Sequence, residues 1–150
     1  MPSKHIVASM AVSAIFLSLS KSLAGALACF LSGILIDLDH ALDFILIRKK
    51  MFNSFRELKS FCLDKSGKVY LLFHSYELLA LLWVFAVLWR VPSLYLGFLY
   101  GMSIHLLLDQ ITNTIYPLTY FLVYRKKLGF PKALFFRGQV EEFDRVMARR

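Results

Sequence analysis

The sequence predicts an all-α integral membrane protein, a bundle of four transmembrane helices followed by an interfacial C-terminal segment. Three observations carry that expectation. Of the 150 residues, 58% are hydrophobic, 15% aromatic and 19% charged, a balance too apolar for an ordinary soluble domain. The apolar residues gather in four runs, and about twenty such residues are what a helix needs to cross hydrocarbon. The basic residues, responsible for a net charge of +8, fall in the segments between and after those runs. In a soluble chain that charge would suggest nucleic acid. Distributed this way it orients a membrane protein against anionic lipid, so the expected partner is the bilayer, with no nucleic acid.

The first run extends from about Ile6 to Leu19, with Lys21 and Ser22 at its turn. Lys4 before it and the small residues near Ala24–Ala28 resemble a signal peptide, but cleavage there would discard His5, and the run reads as an uncleaved span. The second extends from about Leu23 to Ile47 and stops at Arg48-Lys49-Lys50. A polar connection, Met51 to Lys68, leads to the third run, about Val69 to Trp89, which ends at Arg90. Pro92 suits the first turn of the fourth, which reaches about Ile115. The expected organisation is one membrane domain over residues 1–150, with the bundle at about 4–116 and a basic tail at 117–150. Within the tail, Leu118 to Tyr124 is apolar but too short to cross, and Val140, Phe143, Val146 and Met147 recur at helical spacing, as in a helix lying on a membrane surface.

Lys and Arg are in excess in cytoplasmic connections. The second connection and the tail hold nearly all of them, whereas the other two turns hold only Lys21 and Arg90. Both termini and the long loop are therefore expected on the cytoplasmic side of the cell (inner) membrane. Cys29 and Cys62 lack any CxxC spacing and read as packing or loop residues.

Against this apolar background stand four histidines, His5, His40, His74 and His105, three of them with carboxylates within one helical turn. An ionisable group at mid-bilayer costs roughly 3 kcal/mol or more, so each demands compensation. Imidazole and carboxylate are ligands of zinc and related divalent ions, and a bound cation would supply it. His105 and Asp109, four apart, lie about 40° apart around a helix and share a face. An intrahelical hydrogen bond is the alternative. Asp37, Asp39, His40 and Asp43 crowd one helix end, where carboxylates this close repel unless cations or protons intervene. Asp37, Asp39 and His40 are the expected ligands there, with Asp43 in support. His74 and Glu77 share a face three residues apart, and Glu77 paired to a lysine is the other reading. His5 has the weakest context. In the predicted topology all four clusters fall at one depth, just inside the cytoplasmic interface. The expected metal residues are thus His5, Asp37, Asp39, His40, His74, His105 and Asp109. One or two ions are expected, zinc first and manganese second.

Three stretches carry a resemblance: Gly33-Ile-Leu-Ile-Asp37-Leu-Asp39-His40, then His74-Ser75, then Gly101-Met-Ser-Ile-His105-Leu-Leu-Leu-Asp109-Gln-Ile-Thr112. Together, over about Lys4 to Asn113, they resemble the YdjM-like family of membrane-bound, predicted metal-dependent hydrolases. Ile36 stands where that family usually has proline, and Leu71-Leu72-Phe73 where it has His-Arg-Gly before the His-Ser pair. The resemblance implies metal-dependent hydrolysis; a site just under the headgroups makes a phosphoester of a lipid or lipid-linked substrate at the cytoplasmic face the expected substrate, with Asp37, Asp39 or Glu77 as the expected base. A structural metal-binding membrane protein and a metal or proton transporter are the alternatives.

Overall fold

The computed structural model describes residues 2–64, 67–114 and 116–135. Seven α-helices occur among them: α1 Pro2–Ser20, α2 Leu23–Leu35, α3 Asp39–Arg48, α4 Phe55–Leu63, α5 Tyr76–Trp89, α6 Ser93–Thr112 and α7 Leu122–Lys127. Two 3-10 turns, Ile36–Leu38 and Lys132–Phe135, complete the order. The described residues contain no strand, only an isolated bridge between Lys68 and Pro131, so the all-helical expectation holds.

The four expected spans do not appear as four long helices. Only α6 among the described helices is long and apolar enough to cross a membrane, while α1 and α5 are shorter apolar helices. The expected second span is interrupted by the 3-10 turn at Ile36–Leu38. The expected third span begins seven residues late, at Tyr76, because Ser75 caps the helix by accepting from the Leu78 N–H. Helix α4 falls in the connection read as polar loop, started by Ser54, which accepts from the Glu57 N–H. The proposed interfacial helix of the tail lies outside the described residues.

Two compact units result, one from Met1–Ile36 with Ser75–Asp109, the other from Asp37–His74 with Gln110–Arg150. The first is helical, with small and polar residues inside. Gly25, Cys29 and Gly33 recur every fourth residue on α2, as do Gly97, Gly101 and His105 on α6, and all six are buried. A Cβ at Gly97 would strike the Gly25 carbonyl, and one at Gly101 would strike the Cys29 carbonyl and the Ser32 hydroxyl. Hydrogen bonds cross the same packing: Ser32 Oγ donates to Phe98 O at 2.9 Å, Ser13 Oγ to Ala26 O at 2.6 Å, and Trp83 Nε1 to Ser103 Oγ at 3.1 Å. Large apolar side chains face outward instead, among them Val7, Leu27, Leu81 and Val87. Small residues inside and bulky apolar ones outside is how helices associate in lipid, where close backbone approach replaces hydrophobic burial.

The second unit is built on irregular backbone. Val69 N–H donates to Phe130 O and Lys132 N–H to Gly67 O, each at 3.0 Å. Thr114 Oγ1 reaches Leu134 O at 2.7 Å. The Phe61 ring packs edge-on against Phe44, with the Lys132 ammonium 4.2 Å from its centroid, and Lys132 also donates to Phe61 O. Burial pushes the Lys132 pKa down from the ordinary lysine value. Lys50 and Glu57 pair at 2.7 Å, so one of the three basic residues that stop the expected second span has a carboxylate beside it.

Candidate metal centre

Helix α6 delivers His105 and Asp109 on one face, as their four-residue spacing requires. His105 Nδ1 lies 2.8 Å from the Gly33 carbonyl. A carbonyl only accepts, so Nδ1 carries a proton, and in the neutral form of the ring Nε2 offers a lone pair. That Nε2 faces Asp109 Oδ2 at 3.5 Å. The other carboxylate oxygen, Oδ1, is 3.2 Å from His5 Nε2, and the His5 ring stacks on His105 with centroids 4.3 Å apart. His5, His105 and Asp109 are all buried, and His5 Nδ1 has no hydrogen-bond partner among the described residues.

The other group is assembled from the turn Ile36–Leu38, the start of α3, and the loop that precedes α5. Asp39 Oδ2 accepts from the Phe73 N–H at 2.7 Å and the His74 N–H at 3.2 Å, and it lies 3.2 Å from His74 Nδ1. Asp43 Oδ2 accepts from the N–H groups of Tyr70 and Leu71 at 2.7 and 3.1 Å. These two carboxylates take up the amide protons of a stretch the sequence suggests is helical. Leu71 there has a φ of 45°, in the left-handed region. Because Nδ1 of His74 donates to Asp39, its Nε2 presents a lone pair, and Asp37 Oδ1 lies 3.6 Å from it. The Asp37 side chain is 49% exposed, whereas those of His74 and Asp39 are buried.

Each group therefore repeats one arrangement: a histidine locked through Nδ1 to a fixed acceptor, with Nε2 and a carboxylate oxygen approaching as two acceptors. Such a pair is stabilised by a shared cation, either a proton or a metal, and the locked Nδ1 is the support that metal-bound histidines commonly have. Imidazole paired with carboxylate, His105 with Asp109 in the first unit and His74 with Asp37 in the second, is a donor chemistry that suits zinc and other borderline divalent ions.

The remaining expected residues take defined places. His40 has its ring centroid 5.6 Å from that of His74. Glu77 Oε2 accepts from the Ser75 hydroxyl at 2.9 Å. Thr112 Oγ1 donates to Asn113 Oδ1 at 3.2 Å. Sequence reasoning passed over two residues beside His74. Arg125, directly after the apolar run Leu118 to Tyr124, is fully buried and donates to the carbonyls of Tyr70, Leu71 and His74. Tyr120 stacks against His74 with centroids 6.4 Å apart. Nothing in their spacing relative to the motifs marks either one.

No family model, curated protein or solved structure matches the chain.

Proposed function

We propose that the protein is a membrane-embedded, metal-dependent hydrolase of the YdjM-like type, acting on a phosphoester of a lipid or lipid-linked substrate at the cytoplasmic interface. The observation that carries this reading is the approach of an imidazole Nε2 and a carboxylate oxygen as two acceptors within each unit, His105 with Asp109, both buried, and buried His74 with the half-exposed Asp37. Apolar side chains covering the outside of α1, α2, α5 and α6 support a place in the bilayer, with α6 long enough to cross it. The basic residues from Arg48 to Lys68 support a cytoplasmic site.

His105 with Asp109, and His74 with Asp37, would supply the donors for divalent ions, zinc before manganese. When bound, such an ion lowers the pKa of a water toward neutrality and polarises the phosphoryl oxygens. The chain's own groups do the rest. Asp39 keeps His74 in the tautomer that presents Nε2, and the Gly33 carbonyl does the same for His105. Asp39 is already engaged by two amide N–H groups and the His74 ring, so its carboxylate is committed to holding the loop. Asp37, the exposed carboxylate, is better placed to exchange a proton with an entering substrate or water, and Glu77 is the other candidate.

His5, His105 and Asp109 are all buried, and a closed set of protein donors with no water position would make the ion structural, which is the second reading. One set of measurements separates the two. Purified protein retains a divalent ion, and His74→Ala and His105→Ala each lose most of it. Phosphoesters with acyl or polyprenyl tails are hydrolysed in bilayers by wild type, chelator stops the reaction, and Asp37→Asn suppresses turnover while the protein still folds. Metal-loaded wild type inert toward all such esters would establish the structural reading. Metal content unchanged in both histidine variants would remove the centre altogether.

A further inference from the structure

Residues 70–74 form a loop whose backbone is held on both its donor and acceptor sides by buried ions. Asp39 and Asp43 take four of its N–H groups, those of Tyr70, Leu71, Phe73 and His74. On the acceptor side a single guanidinium, that of Arg125 at 0% exposure, serves three carbonyls. Its Nη1 donates to Tyr70 O at 2.5 Å, and its Nη2 to Leu71 O at 3.1 Å and His74 O at 2.9 Å. The Phe135 ring lies 5.6 Å from its central carbon. A buried arginine is costly to desolvate, and here its charge is matched to carbonyl dipoles of one short segment. That segment ends on a histidine whose ring is fixed by Asp39.

We infer that Arg125 is a positioning residue of the metal centre: by clamping the carbonyls of Tyr70, Leu71 and His74 it sets where the His74 ring stands relative to Asp39 and Asp37. The inference rests on the proposed metal reading for its consequence, but not for its geometry. A role for the guanidinium fork follows, since three carbonyls in different directions need several donors in a fixed plane. The lysine ammonium is a compact point charge and cannot span them. The segment Leu122–Lys127, beyond the last motif shared with the hydrolase family, thereby becomes part of the site.

Arg125→Lys and Arg125→Gln test this in the full-length protein in detergent, with two readouts. The first is the Nδ1–H resonance of His74, protected by Asp39, compared with that of His105, protected by Gly33. Loss or broadening of the His74 signal in both variants, with the His105 signal kept, is the expected result. The second is zinc affinity, expected to fall about 10- to 100-fold, the usual effect of removing a group that orients a metal ligand. Lys132→Met, which alters the same unit away from residues 70–74, should leave both readouts at wild-type values. If the His74 signal persists in both Arg125 variants, the inference is overturned. Joint loss of the His74 and His105 signals also overturns it, because Arg125 would then support the whole fold. If wild type binds no zinc yet the His74 signal still depends on Arg125, the positioning role stands and the metal reading alone falls.

Discussion

The two units solve the same problem, satisfying backbone polar groups away from water, in opposite ways. In the unit of α1, α2, α5 and α6 the backbone is satisfied within the helices, so side chains are free to be small inside and apolar outside. In the unit of α3, α4 and α7 much of the backbone is irregular, and buried Asp39, Asp43, Arg125, Lys132 and Thr114 supply its missing partners. The lesson is that buried charge need not signal chemistry. Four of these five are ionisable, yet each bonds main-chain groups, and the candidate ligands differ in that their Nε2 and carboxylate atoms point at each other.

This contrast can be broken first at the close approach of α2 and α6. Gly97→Leu should destabilise by about 3 kcal/mol or more, since overpacking against backbone cannot be relieved by a rotamer change. Thermal melting in detergent would register it. An unchanged midpoint would mean that the small-residue stripe does not hold the first unit together.

A smaller effect is expected where the second unit relies on charge. Asp43→Asn keeps an oxygen for the Tyr70 and Leu71 N–H groups but replaces charge-assisted bonds by neutral ones, costing about 1–2 kcal/mol. Hydrogen exchange should quicken at residues 69–75 and stay unchanged in α6. Uniformly faster exchange would show that the two units unfold together and would remove the distinction between them.

The smallest effect concerns Lys132. Burial lowers its pKa, so in the folded state it holds its proton less tightly than in the unfolded chain. Between the lowered and the ordinary lysine value the unfolded state binds more protons, and stability therefore rises with pH across that interval. Lys132→Met should abolish this rise. A slope identical to wild type in the variant would place the titration elsewhere.

How far the sequence revealed the site depends on the kind of element. His105 and Asp109 were legible as a pair because helical spacing alone puts i and i+4 on one face. The same periodicity would have revealed the Gly25-Cys29-Gly33 and Gly97-Gly101 stripes, a signal present in the sequence but hidden by the search for bulky apolar runs. His5 and Asp109 lie 3.2 Å apart though they are far apart along the chain, a meeting that no local pattern records. The loop ending at His74 was not legible. Val69 to Phe73 is apolar and continuous with α5, so hydropathy extends the helix through it, whereas Asp39, Asp43, Ser75 and Arg125 divert its backbone.

By itself the sequence determined the helical class, the apolar character and which residue types were available to bind a cation, because composition and short-range periodicity are local properties. Only the tertiary structure decided where helices stop, which carboxylates serve the backbone and which face an imidazole. Those outcomes turn on pairings between residues thirty to seventy positions apart, such as Asp39 with His74 and Gly33 with His105, whose partners compete on geometry that no local pattern records.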